Sequence, residues 1–79
     1  MNEKEVFEKV KAVILQELDL DESKVTMDAR LKEDFGADSI DGVQIIMALE
    51  DEFGIKLEDE SLEEIKTVGD IVKFVKAVL

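Results

Sequence analysis

The stretch Gly36-Ala37-Asp38-Ser39-Ile40-Asp41, running on through Gly42-Val43-Gln44-Ile45-Ile46-Met47-Ala48-Leu49-Glu50-Asp51-Glu52-Phe53 to Gly54, decides how this chain folds. Asp38 and Ser39 are residue types that cap helix N-termini, Ile45, Leu49 and Phe53 recur at helical spacing, and Gly54 is a C-terminal stop. The sequence therefore predicts a helix from about Ser39 to Phe53. Ser39 at its start has two readings. It is a cap, the usual role of such a serine, or it is an attachment point for a phosphate-bearing group. The second follows because a helix start presents unpaired N–H groups and a partial positive charge.

This helix is apolar on two faces. Ile45, Leu49 and Phe53 form one stripe with Ile46 and Ala48 at its margins, and Ile40, Val43 and Met47 form another. A small core covers one stripe more easily than two, so the second is expected to stay partly exposed as a partner surface rimmed by acids. Burial of both under a neighbouring segment is the alternative.

Outward from this helix, Asn2 with Glu5 resembles a capping pair, and Val6, Phe7, Val10, Val13, Ile14 and Leu18 set a first helix from about Glu3 to Glu17. Periodicity lapses from Leu20 to Asp38, a long connection with Val25, Leu31 and Phe35 as its expected anchors. Ser61 to Ile65 reads as a short helix with a capping box from Ser61 to Glu64. Thr67 with Asp70 caps a last helix, which Val68, Ile71, Val72, Val75, Val78 and Leu79 carry to the chain end. No alternating strand pattern appears. The expected fold is an all-α, small four-helix bundle, three longer helices plus one short helix, in a single domain over residues 1–79.

A chain of 79 residues buries only about 60 to 65% of its unfolded surface. It has no Cys, which fits a reducing cytoplasm, and no apolar run long enough to insert in a membrane. It has no His, so a Ser-His-Asp triad cannot be assembled, and Ala37 and Asp41 stand where a nucleophile elbow needs glycines. Ser39 is not a self-activated nucleophile, and intrinsic enzyme activity is not expected.

The net charge of −11 is concentrated: residues 33–64 hold 12 acids against the single base Lys56, giving −11 by themselves, while residues 1–32 give −2 and 65–79 give +2. Such a field repels nucleic acid and anionic lipid and steers a monomeric domain toward basic protein patches. A solvated face that only aids solubility is the plainer alternative.

Glu33-Asp34-Phe35-Gly36-Ala37-Asp38-Ser39-Ile40-Asp41, followed by Met47-Ala48-Leu49-Glu50-Asp51-Glu52-Phe53-Gly54, resembles the acyl carrier proteins of bacterial type II fatty acid synthesis. The likeness continues through Ile55-Lys56-Leu57 and Thr67-Val68. It implies that Ser39, flanked by Gly36, Asp38 and Ile40, receives 4'-phosphopantetheine from coenzyme A, transferred by a phosphopantetheinyl transferase. The arm's thiol then carries acyl groups as thioesters between fatty acid biosynthesis enzymes. It also implies docking through Asp38, Ile40, Asp41, Val43, Met47, Glu50 and Asp51 onto basic patches, and an acyl pocket at Ile45, Leu49, Leu57, Ile65 and Ile71. Core packing explains those five equally well. Four positions depart from the family's habit: Ile40 and Phe35 replace Leu, Gly42 lies where Thr or Ser is frequent, and Gln44 where an acid is frequent. Gly42 costs roughly up to 1 kcal/mol of helix stability relative to Ala.

Other readings are a carrier of polyketide, aminoacyl or D-alanyl groups and an unmodified acidic docking domain. A calcium loop starting at Asp19, Asp21 and Ser23 is rejected, since Lys24 and Arg30 occupy positions that require Gly and Glu. Weak divalent binding at Glu58-Asp59-Glu60, or at Asp34 and Asp38, is compatible with any of these.

Overall fold

The computed structural model describes residues 2–57 and 65–79. Within them the chain forms three α-helices, α1 (Glu3–Glu17), α2 (Ser39–Phe53) and α3 (Val68–Val78), and a short 3-10 turn at Glu22–Lys24. All three helix starts, and the end of α2, follow from local chemistry. Each helix opens on a capping box: Asn2 with Glu5, Asp38 with Asp41, and Thr67 with Asp70. α2 closes on Gly54, which takes the left-handed conformation at φ 65° and returns its N–H to the Glu50 carbonyl.

α1 packs against both α2 and α3, while α2 and α3 approach each other little. The core joins Val6, Val10, Val13 and Ile14 of α1 to Ile45, Ile46 and Leu49 of α2 and to Val68, Ile71, Val72 and Val75 of α3. Ile14, Ile45, Leu49 and Ile71 are fully buried, and truncating any one to Ala should cost about 2–5 kcal/mol. The last helix departs from its expected pattern at its end, where Val78 and Leu79 are exposed.

The long connection is ordered by packing and by pairing. Val25, Ala29, Leu31 and Ala37 are in the core, whereas Phe35, an expected anchor, is only half-buried. Its middle runs antiparallel to the start of α3: Gly69 N–H donates to the Met27 carbonyl at 2.9 Å, Val68 N–H to Ala29 at 3.0 Å, and Leu31 N–H to Lys66 at 2.9 Å. The first N–H groups of a helix have no partner within it, and here the connection supplies carbonyls to two of them. A Cβ on Gly69 would lie 3.0 Å from the Met27 oxygen, a tight contact that glycine avoids.

The expected short helix at Ser61–Ile65 falls on residues 58–64, outside the described residues; Ile65 is described, half-buried and not helical. The shown architecture is all-helical with three helices and, among the described residues, one isolated bridge between Arg30 and Thr67 in place of any sheet.

Asp70 ties this pairing together. Its carboxylate accepts from Lys66 N–H at 3.0 Å and Thr67 N–H at 3.1 Å, while its own N–H donates to the Thr67 hydroxyl. Those bonds, the one from Lys66 first, hold the Asp70 carboxyl below the usual carboxylate range. A depressed folded-state pKa contributes stability above the unfolded value, lost as pH falls through the folded one. Asp70→Ala should therefore lower the melting midpoint at neutral pH by about 4–8 °C, for roughly 1 kcal/mol of lost capping. The deficit should shrink below about pH 4, as the wild type loses the same bonds. Melting curves of both proteins across pH check this, and a deficit constant with pH contradicts it.

Candidate functional site

The site begins at a tight turn. Asp34 and Phe35 N–H both donate to the Arg30 carbonyl, Gly36 N–H to Lys32 and Ala37 N–H to Leu31. Gly36 completes the turn at φ 68°, a conformation that glycine adopts without steric cost. The chain is thereby delivered in extended form to Asp38, at φ −90° and ψ −172°.

Asp38, not Ser39, is the cap. Its carboxylate accepts from Asp41 N–H at 3.0 Å, and the Asp41 carboxylate accepts from Asp38 N–H at 3.3 Å. Ser39 is the first residue of α2 and exposed, and its hydroxyl makes no hydrogen bond among the described residues. The two uses weighed for Ser39 thus separate onto two residues: one satisfies the helix start, and the next presents a free hydroxyl beside it.

Ser39 stands at the edge of a cleft of about 910 Å³. α2 contributes Gly42, Val43, Ile45 and Ile46 to its lining, and Ala37 and Asp38 precede them. The connection contributes Arg30, Leu31, Lys32 and Glu33, and the approach to α3 and its first turn contribute Ile65, Lys66, Thr67 and Ile71. Volume and lining place it in the range of ligand cavities, apolar within and polar at a few points.

Arg30 bridges Glu33 and Asp34 at this rim. Asp34 also accepts from Arg30 N–H at 2.7 Å, and that bond, then the guanidinium, holds its carboxyl below the ordinary range.

Of the residues expected to form an acyl pocket, Ile45, Ile65 and Ile71 line this cleft. Leu49 and Leu57 are buried in the core and are not among the residues that line it. Leu31, Ala37, Ile46 and Thr67 were not expected there. Ile46 had a signal as the margin of the α2 stripe; Leu31 and Thr67 meet through the pairing of distant segments, which leaves no mark in local periodicity.

The second stripe of α2 is open: Ile40, Val43 and Met47 are 65%, 44% and 59% exposed. Asp51 is exposed beside them. Glu50, expected to serve docking, is half-buried and accepts from Leu57 N–H at 2.8 Å, so it holds the segment after α2 in place. Asp38 and Asp41 are likewise engaged in the cap.

Asp21 caps the 3-10 turn by accepting from Ser23 N–H, and no group of three or more potential metal ligands occurs among the described residues. Glu58-Asp59-Glu60 lies outside them. Among the described residues no helix is long and apolar enough to cross a membrane.

Residues 8–75 match the family described as phosphopantetheine attachment site. Among solved structures the chain is similar to an acyl carrier protein from Enterococcus faecalis, at 37% identity and a TM-score of 0.80 over the whole of both chains.

Proposed function

The chain belongs to the phosphopantetheine attachment family, among its acyl carrier proteins, and from that premise we propose that Ser39 bears the arm and that the cleft beside it receives a fatty acyl cargo. A carrier of this family is non-catalytic and holds a covalently attached 4'-phosphopantetheine. The group supplies a thiol that this Cys-free chain lacks.

The residues present fit the group. Ser39 offers an exposed hydroxyl that no described residue bonds, and its place at the head of α2 favours the phosphodiester charge by about 0.3–1 kcal/mol. On modification the Ser39 Oγ keeps its bond to carbon and attacks the pantetheine-bearing phosphorus of coenzyme A; the pyrophosphate P–O bond breaks, adenosine 3',5'-bisphosphate leaves, and the hydroxyl proton goes to a base. The chain has no His, so the transferase must supply that base. The single observation that carries this reading is that Asp38 takes the cap and leaves Ser39 free at the mouth of an apolar cleft.

Fatty acyl cargo is favoured by the lining of Leu31, Ile45, Ile46, Ile65 and Ile71, which would remove a hydrocarbon chain from water at roughly 0.8 kcal/mol per methylene. Partner enzymes would meet the exposed Ile40, Val43 and Met47 with Asp38, Asp41, Glu50 and Asp51 around them. Charges at such a rim speed association more than they prolong residence, which suits a carrier that visits one enzyme after another. Delivery between fatty acid biosynthesis enzymes of the cytoplasm is the role we assign.

Incubation with coenzyme A, Mg²⁺ and a broad-specificity phosphopantetheinyl transferase should add one phosphopantetheine to the wild type and none to Ser39→Ala, read by intact mass. Folded wild type left unmodified, while a known carrier reacts in parallel, would point instead to an unmodified docking domain. For the docking face, Asp51→Lys should slow modification several-fold at low salt without changing the melting midpoint, since Asp51 makes no bond within the described fold. Equal rates would remove Asp51 from the interface.

A further inference from the structure

Gly42 is the one helical glycine whose presence the fold does not explain. Gly36 and Gly54 occupy positive φ, and Gly69 is pressed against the Met27 carbonyl. Gly42 sits within α2, its N–H bonded to the Asp38 carbonyl at 3.0 Å, and a Cβ built on it meets no atom of the described residues within 4 Å. Glycine inside a helix is less stable than alanine because it surrenders more backbone freedom. A local rule broken without structural compensation points to function.

Its position says which function. Gly42 is three residues beyond Ser39, so the two share a face of α2 and lie about 5–6 Å apart at Cβ. Both line the same cleft. Side chains on a helix lean toward its N-terminus, so any side chain at 42 would cover the turn that carries Ser39.

Resting on the reading that Ser39 bears the arm and the cleft takes its cargo, we propose that Gly42 is the entrance to the cleft. Its missing side chain leaves the gap through which a group tethered at Ser39 turns from the helix surface into the space lined by Leu31, Ile46 and Ile71. Gly42 thus sets the girth of what the cleft admits, a specificity-determining position on the carrier itself.

The test compares wild type with Gly42→Ala, Gly42→Leu and Gly42→Met, each loaded by a transferase with coenzyme A or octanoyl-coenzyme A and checked by intact mass. Two readouts are taken: the rise in melting midpoint from thiol to octanoyl form, and the slowing of hydroxylamine cleavage relative to free octanoyl-pantetheine. Ala, Leu and Met are all better helix formers than Gly, so every unmodified variant should melt at or above the wild type. The octanoyl chain should raise the midpoint of the wild type and protect its thioester, both effects should be smaller in Gly42→Ala, and most of both should be lost in Gly42→Leu and Gly42→Met.

Undiminished protection in either bulky variant would overturn the entrance role and leave the cleft reading intact. Equal loss in all three variants would overturn it in favour of a need for a loose first turn. Absence of any octanoyl effect in the wild type would overturn the cleft reading itself, and the entrance with it.

Discussion

The antiparallel contact between residues 27–31 and 66–69 is the constraint on which the rest of this molecule depends. Carbonyls of Met27 and Ala29 receive the N–H groups that open α3, and Lys66 returns a carbonyl to Leu31. One short pairing satisfies a helix end and gives a long connection a fixed course. Without it, Leu31 loses the bond to Lys66 that fixes it beside the approach to α3, and the cleft loses a wall. A Cβ on Gly69 would crowd the Met27 oxygen at 3.0 Å, so glycine eases the close approach of the two backbones. The cleft beside Ser39 therefore takes its shape from a contact between segments distant in sequence.

A second constraint acts at the other side of the cleft. A helix start requires acceptors, and a serine that supplies one is occupied. By placing the acceptor on Asp38, with Asp41 returning a bond to the Asp38 N–H, the fold keeps the helix start satisfied and the next hydroxyl available. The same economy recurs at the far end of α2, where Glu50 reaches the Leu57 N–H. Several acids in the strongly negative segment thus hold the backbone. Its ion pairs, Arg30 with Glu33 and Asp34 and Lys9 with Glu52, are exposed, where such pairs are individually weak. The remaining negative field is available to partners.

The three helices were legible because their signals are local. Each has a cap residue paired with an acid three positions on and apolar residues on one face, and α2 ends on a glycine with positive φ. The two-faced character of α2 was also legible, and Ile40, Val43 and Met47 are exposed as their spacing suggested. What the sequence could not convey was the role of the connection, since Leu31 joins the cleft through a bond to Lys66 across a distance that no periodic pattern spans. Ile45 and Ile71 belong to the core and also line the cleft, whereas Leu49 and Leu57 are core residues outside its lining. Helical spacing says that a residue faces inward, and only the arrangement of the helices says which inward residues also border the cleft. The alternatives for Ser39 were separable only by geometry, because Asp38 and Ser39 are both good caps.

The most direct test of an arm on Ser39 with its cargo in the adjoining cleft is a comparison of methyl and amide chemical shifts between the thiol and octanoyl forms in solution. The changes should concentrate at Leu31, Ala37, Ile45, Ile46 and Ile71, with little effect at Val10 and Val13 on α1. Changes confined to the residues flanking Ser39, with Leu31 and Ile71 unmoved, would show that the chain stays outside the cleft and contradict this picture.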